Sequence, residues 1–269
     1  ISIINMMKIK LYMIIASFSA VISGVQLHGA ITYDGFGYTV GTNLEAADNW
    51  VSLNSGTAPV IASGSLTVPG LATSTGNKVS FSSGNIQEAL GSLSSVTVGT
   101  VYYSFAFSLT SQPTVSAYSF GLATSNTNYG ATVWFQASGS GFNIGLAGRT
   151  GTPVYSTTVY SLNTTIFIVG AYEFVSGASN DISRLWINPS DFGNGPSYVP
   201  PTPNLTNTPG GNDLGGVSQF LIRGTGGSPA GEFDELRVGA TYAAVTVPEP
   251  DAAVLLGTLG ILGLLRRRR

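Results

Sequence analysis

The densest run of reactive groups in this 269-residue chain is Glu232-Phe233-Asp234-Glu235. Carboxylates at i and i+2 of a strand share one face. Two carboxyl groups about 5 Å apart are what a retaining glycosidase needs, one as nucleophile and one as acid. The simpler expectation is that Asp234 caps a turn and Glu235 pairs with Arg237, with no catalytic residue. Composition removes other nucleophile chemistry. The chain has no cysteine, and its one histidine, His28, falls in the N-terminal leader described below. A body without His or Cys builds neither Ser-His-Asp nor Cys-His systems. It also lacks nitrogen and sulfur ligands for zinc. Carboxylate chemistry and oxygen-ligated calcium remain.

For calcium the candidates are Asp191 and Asp213, both within the Pro-, Asn- and Gly-rich stretch Pro189 to Gly216. Two acids over such a span are a thin ligand set. A proline-stiffened connection is the default, and no other cofactor is expected. Stacking on sugar rings is open to Trp50, Trp134 and Trp186. Aromatics at strand spacing are more often core. Trp186 shares its face with Arg184 and Asn188, so these three form the candidate carbohydrate contact, with Trp186 as an exposed platform. Trp134 stands between Val133 and Phe135, so one of those two faces must be exposed or lie between sheets.

The elements that must position these residues are strands. From Thr100 to Thr110, Val101, Tyr103, Phe105, Phe107 and Leu109 alternate with smaller or more polar residues, which predicts a half-buried strand. Thr164 to Phe174 is apolar on both faces and reads as a central strand. Further strands are predicted at 65–68, 77–81, 117–123, 131–137, 142–146, 154–160, 182–188, 217–224 and 232–238. Gly, Asn and Ser clusters separate them. No helix-length period occurs, apart from a turn at Ile86 to Leu90. Many short strands with turn signals predict a β-sandwich. The body, Ile31 to Val247, carries eleven acids against five bases, about −6. A mildly acidic body poor in lysine has no electrostatic footprint for nucleic acid. Charged residues are only 9% and hydrophobic residues 43% of the chain, a balance that argues against disorder.

Both ends read as targeting segments. Met6 or Met7 is the expected start, with Ile1 to Asn5 upstream of it. Lys8 and Lys10 precede the apolar stretch Leu11 to Ile22, a secretory signal pattern. Cleavage is expected after Ala30, with a cut after Gly24 as the alternative. At the other end, Val247-Pro248-Glu249-Pro250 precedes the apolar run Ala252 to Leu265 and then Arg266, Arg267, Arg268 and Arg269. Fourteen helical residues span about 21 Å, short of the roughly 30 Å hydrocarbon core. Bilayer thinning and snorkelling arginines would accommodate it as a transmembrane helix. The arginines should stay cytoplasmic, which leaves the body outside.

The tail resembles the sorting signal of PEP-CTERM proteins: a Val-Pro-Glu-Pro motif, a short Gly/Leu-rich membrane helix and a basic cluster, in that order. The resemblance implies processing by a membrane-embedded exosortase in a Gram-negative envelope. The body in turn resembles the concanavalin-like, laminin-G-type jelly roll. Tyr33-Asp34-Gly35-Phe36, Leu185-Trp186-Ile187-Asn188-Pro189 and Phe233-Asp234-Glu235-Leu236-Arg237-Val238-Gly239 carry this likeness. Laminarinase-like members of that superfold use Glu-x-Asp-x-(x)-Glu on a strand, which residues 232–237 leave incomplete. The expected architecture is therefore all-β: a signal peptide (1–30), a jelly-roll sandwich (31–247) and a sorting tail (248–269). The expected role is a non-catalytic surface or extracellular-matrix protein, with exosortase, the membrane and exopolysaccharide as partners. A laminarinase-like glycoside hydrolase and a purely structural surface protein are the alternatives.

Overall fold

The computed structural model describes residues 32–246, except 72–73, 75, 85–87, 126, 150–151, 194, 196 and 208–211. The expected signal segment and sorting tail lie outside the described residues. So do Val247, Pro248, Glu249, Pro250, Arg266, Arg267, Arg268 and Arg269. In chain order the strands are β1 (Tyr33–Asp34), β2 (Trp50–Ser52), β3 (Val60–Ala62), β4 (Lys78–Phe81) and β5 (Ala89–Val96). Next come β6 (Gly99–Leu109), β7 (Ala117–Ser125), β8 (Asn128–Ser138), β9 (Gly141–Ala147) and β10 (Val154–Tyr155). The last are β11 (Ile166–Phe174), β12 (Ile182–Ile187), β13 (Leu205–Asn207), β14 (Val217–Ile222) and β15 (Gly231–Gly239), followed by a short helix α1 (Tyr242–Thr246).

They form two antiparallel sheets. The front sheet runs β13-β12-β11-β6-β15-β4-β3, with β1 also pairing β15, and the back sheet runs β10-β9-β8-β7-β14-β5-β2. The chain crosses between sheets at β1 to β2, β2 to β3, β4 to β5, β5 to β6, β6 to β7, β10 to β11, β13 to β14 and β14 to β15. The late strand β14 inserts between β7 and β5, and β15 between β6 and β4. This interlocking is the jelly-roll sandwich. The terminal motifs meet in it: Tyr33 pairs with Arg237 and Asp34 with Leu236.

Alternation decides the core. Val101, Tyr103, Phe105, Phe107 and Leu109 of β6 all point between the sheets and are at most 3% exposed. Phe105 meets Phe120 and Phe233 at centroid separations of 4.7 and 5.0 Å. Tyr103 donates its hydroxyl proton to the Ala131 carbonyl across the sandwich, 2.6 Å away. Gly170 makes room for that ring, since a Cβ there would lie 2.1 Å from Tyr103 Cζ.

The front sheet is also covered on its outer face. Ala106, Phe167, Val169, Ala171 and Trp186 pack beneath Leu66, Val68, Tyr242 and Val245, with Phe192 and Tyr198 alongside. That second layer explains why β11 is apolar on both faces. Residues 65–68, expected as a strand, belong to this cover, and the Leu66 N–H goes to the Asp234 carboxylate rather than to a neighbouring strand. The expected strand over 154–160 shortens to Val154–Tyr155 plus one bridge from Tyr160 to Phe142. Of the turn expected from Ile86 to Leu90, residues 86–87 lie outside the described residues, and Ala89 and Leu90 belong to β5.

Candidate functional site

The carboxylates of β15 are turned to structural use. Phe233 faces the core, so Glu232 and Asp234 face the cover on the front sheet. Glu232 pairs with Lys78 at 2.8 Å. Asp234 is fully buried and accepts the N–H groups of Leu66 and Glu235, each at 2.8 Å. Burial pushes its carboxyl up to about 7, against the lowering pull of those two N–H donors. The ladder to β6 then slips between Asp234 and Arg237, and Glu235 sits in the left-handed region at φ 59°. This bulge brings Glu235 Oε2 to within 2.7 Å of Arg237 Nη2 in a pair that is nearly closed to solvent. Tyr33 donates to the other Glu235 oxygen at 2.9 Å. The expected Glu235–Arg237 pairing is present. Asp234, expected to cap a turn, lies instead within β15 and pins the 65–68 cover segment to the sheet.

The two calcium candidates are not brought together. Asp191 lies near the Phe167 end of β11, where Phe192 contacts Phe167. Its carboxylate accepts the Gly193 N–H, and the Tyr198 hydroxyl holds it below the usual carboxylate range. Asp213 lies at the opposite end of the β11–β12 hairpin and accepts the N–H groups of Asn180 and Asp181. Each is used as a loop clamp, and among the described residues no group of three or more His, Cys, Asp or Glu could hold a metal.

Trp186 is not an open platform. It is 3% exposed, edge-on to Tyr242 at 5.2 Å, and its indole N–H donates to the Pro201 carbonyl. A groove of about 310 Å³ does run beside it, lined by Tyr102, Arg184 and residues 200–203. The Arg184 guanidinium there is committed to Glu173 at 2.6 Å. Asn188 stands at the strand end with φ 47° and uses its side-chain oxygen on the Phe167 N–H. The sequence pattern identified the shared face of Arg184 and Trp186 but not the chain that covers it. Another cleft, of about 480 Å³ beside Val98, is largely apolar and gathers no titratable group.

A row of half-buried aromatics lies on the outer face of the back sheet. Val133 and Phe135 fill the core, so Trp134 points outward. Its register partners across the sheet are Tyr118 of β7 and Gly145 of β9, and Gly145 in turn pairs with Tyr155 of β10. Paired residues share a face, so Tyr118, Trp134 and Tyr155 form one cross-strand row. Gly145 is needed for it: a Cβ would come 2.6 Å from Tyr155 Cε1, because that ring lies over the glycine. Tyr118 and Trp134 rings are 5.2 Å apart, and Tyr129 adds a third ring 6.0 Å from Tyr118. All four aromatics are half-buried. Arg223 lies 4.4 Å over the Tyr118 ring and is ion-paired to the buried Glu88. A groove of about 210 Å³ runs between Tyr118, Tyr129, Thr132, Trp134 and Arg149. None of the back-sheet strands carries a charged residue. Alternation in 131–137 was the only sequence signal for this row, since register joins residues from four strands.

The chain leaves the front-sheet cover through α1. Ser104 donates to the Val245 carbonyl at 2.6 Å, and Thr246 is fully buried. Thr246 is also where the match to a known family begins. Residues 246–269 match the PEP-CTERM protein-sorting motif. The PEP-CTERM motif marks an exported, membrane-associated protein of a Gram-negative envelope that is sorted by an exosortase. Among the described residues no helix is long and apolar enough to cross a membrane. No curated protein matches the chain. Solved structures similar to it include a SAP-like pentraxin from Limulus polyphemus, 17% identical, covering 63% of this chain and 79% of that one, with a TM-score of 0.43. The T. cruzi calreticulin globular domain is 8% identical over 76% of this chain and 88% of its own, TM-score 0.44. A glycosyl hydrolase family 16 protein from Mycobacterium smegmatis is 10% identical over 78% of this chain and 100% of its own, TM-score 0.44.

Proposed function

We propose that this PEP-CTERM protein is a non-catalytic surface or matrix module that binds extracellular polysaccharide through the back-sheet aromatic row. The observation that carries the reading is the alignment of Tyr118, Trp134 and Tyr155 across neighbouring strands of a sheet without strand charges. A sugar ring presents polarised C–H groups, and an aromatic face carries the complementary negative quadrupole. Half-buried rings are already ordered, so stacking on them costs little additional conformational entropy. The groove is smaller than the roughly 300–1,000 Å³ of pockets that enclose a drug-sized ligand. It suits one ring of a long chain that continues across the row.

Hydrolysis is disfavoured by the same geometry. Asp234 and Glu235 are buried and Glu232 is neutralised by Lys78, so the carboxylates of β15 offer no open pair flanking a cleft among the described residues. In the processing we infer, the mature chain begins near Ile31 and loses its tail near Pro248 to Pro250. Binding is tested by affinity electrophoresis of the full chain in mild detergent against neutral and acidic polysaccharides. Retardation that falls about tenfold in Trp134→Ala is expected. Equal migration of the wild type in every gel, or an unaffected Trp134→Ala, rejects the reading. Release of reducing sugar that disappears in Glu232→Gln would make the protein a hydrolase instead.

A further inference from the structure

We infer that the back-sheet groove selects an anionic sugar unit, whose carboxylate or sulfate ester is received by Arg149. This rests on the polysaccharide-binding reading and adds the class of ligand. The body has five basic side chains. Four are matched to carboxylates: Lys78 to Glu232, Arg184 to Glu173, Arg223 to Glu88 and Arg237 to Glu235. Arg149 forms no ion pair among the described residues. It is instead held by a neutral oxygen, its Nη2 donating to Asn128 Oδ1 at 2.5 Å. A guanidinium has five N–H donors, so most of its hydrogen-bonding capacity is open to an incoming anion. Its planar fork matches the two oxygens of a carboxylate or sulfate.

Its position gives the charge a purpose. Arg149 follows Ala147, which pairs with Thr132, two residues before Trp134 on the same strand. Trp134, Tyr118 and Arg149 consequently line one groove. A ring stacked on Trp134 would have its substituents within reach of the guanidinium. The acid of this neighbourhood, Glu88, is buried and already paired with Arg223, so the groove keeps one net positive charge. The body is acidic overall, but every acid carried by a strand belongs to the front sheet. Three of those acids, Glu173, Glu232 and Glu235, are ion-paired to Arg184, Lys78 and Arg237, which leaves little net charge on them to oppose an anion bound at the back.

The test measures affinity of the full chain for polygalacturonate and its methyl ester, and for dextran sulfate and dextran. Wild type is expected to bind at least one anionic polymer about tenfold tighter than its neutral counterpart, equivalent to about 1.4 kcal/mol. Preference for polygalacturonate alone assigns the group to a uronate, and preference for dextran sulfate alone to a sulfate ester. Arg149→Gln should abolish the preference, bringing affinity for the anionic polymer down to that for its neutral counterpart. Arg184→Gln, which removes a cation from the front sheet, should preserve it. The inference is overturned if wild type shows no preference, if Arg149→Gln retains it, or if Arg184→Gln erases it equally. Absence of binding to all four polymers would overturn the parent reading, whereas loss of preference alone overturns only this one.

Discussion

Asp234 should give the body a pH dependence that can be assigned to a single proton. Its carboxyl titrates near 7 in the folded protein because it is buried, against about 4 in an unfolded chain. Between those values the folded state holds a proton that the unfolded state has released. Stability is therefore fully present below pH 4 and falls as pH rises toward 7. The limiting slope is about 1.4 kcal/mol per pH unit. From pH 5 to pH 7 the loss should be about 2 kcal/mol. For a domain of this size that corresponds to a drop of roughly 4–8 °C in Tm. The window is unusually clean, because the body contains neither His nor Cys and the shifted tyrosines titrate above 10. Calorimetry of wild type and Asp234→Asn at pH 5, 6, 7 and 8 reads the effect directly. Asp234→Asn should be less stable than wild type at pH 5, since its amide offers an oxygen to only one of the two N–H donors. It should also lose the slope. A wild-type Tm that stays level or rises from pH 5 to 7, or an equal slope in Asp234→Asn, would refute the reasoning.

Two further perturbations probe the core and the tail. Gly170→Ala should destabilise by about 3 kcal/mol, the upper range for overpacking, because Tyr103 is buried and hydrogen-bonded and cannot retreat; combining it with Tyr103→Leu should recover part of the loss, measured by urea denaturation. Leu259→Asp with Leu262→Asp should release the unprocessed chain from membranes in carbonate extraction, since each mid-helix Asp costs about 2.5–3.5 kcal/mol on insertion scales.

The long strands were legible because their alternation is strong. β6 and β15 lie within a residue of their expected limits, and β11 falls inside its expected span. The short strands β2, β3 and β13 were not, since three residues contain too little alternation to register. β5 was missed for a different reason: Ala89-Leu90-Gly91-Ser92-Leu93 is small and weakly patterned, and it becomes a strand only because β14 and β2 bracket it. The same limit governs the sites. Glu235 and Arg237 are neighbours in sequence, so their pairing could be anticipated. Trp186 has the polar company of Arg184 on its own strand, but its cover comes from residues 65–71, 200–203 and α1, which no local pattern links to it. Tyr118, Trp134 and Tyr155 are separated by 16 and 21 positions and meet only through register.

The partition of charge between the sheets connects these observations. Charges close to a packed layer must be paired, because an isolated ion removed from water is costly. The front sheet obeys this, with Lys78, Arg184 and Arg237 each matched to an acid on the same sheet. Its outer face is closed by the chain's own strap and by α1, which leads into the sorting motif at Thr246. Most of that face is covered, and the Arg184 of the groove beside Trp186 is already committed to Glu173. The back sheet is the reverse case. Solubility alone would favour a water-facing sheet with interspersed charge. Its strands instead expose hydroxyls, amides and half-buried rings, with Ser92, Ser94 and Gln136 open to solvent. Hydroxyls and amides hydrogen-bond sugars as readily as water, and rings gain by stacking when water is displaced. An aromatic-striped sheet whose strands carry no charged residue is thus poorly explained by solubility, and it is the feature on which the proposed polysaccharide binding rests. The role we infer for Arg149, which forms no ion pair among the described residues, is to make that match selective.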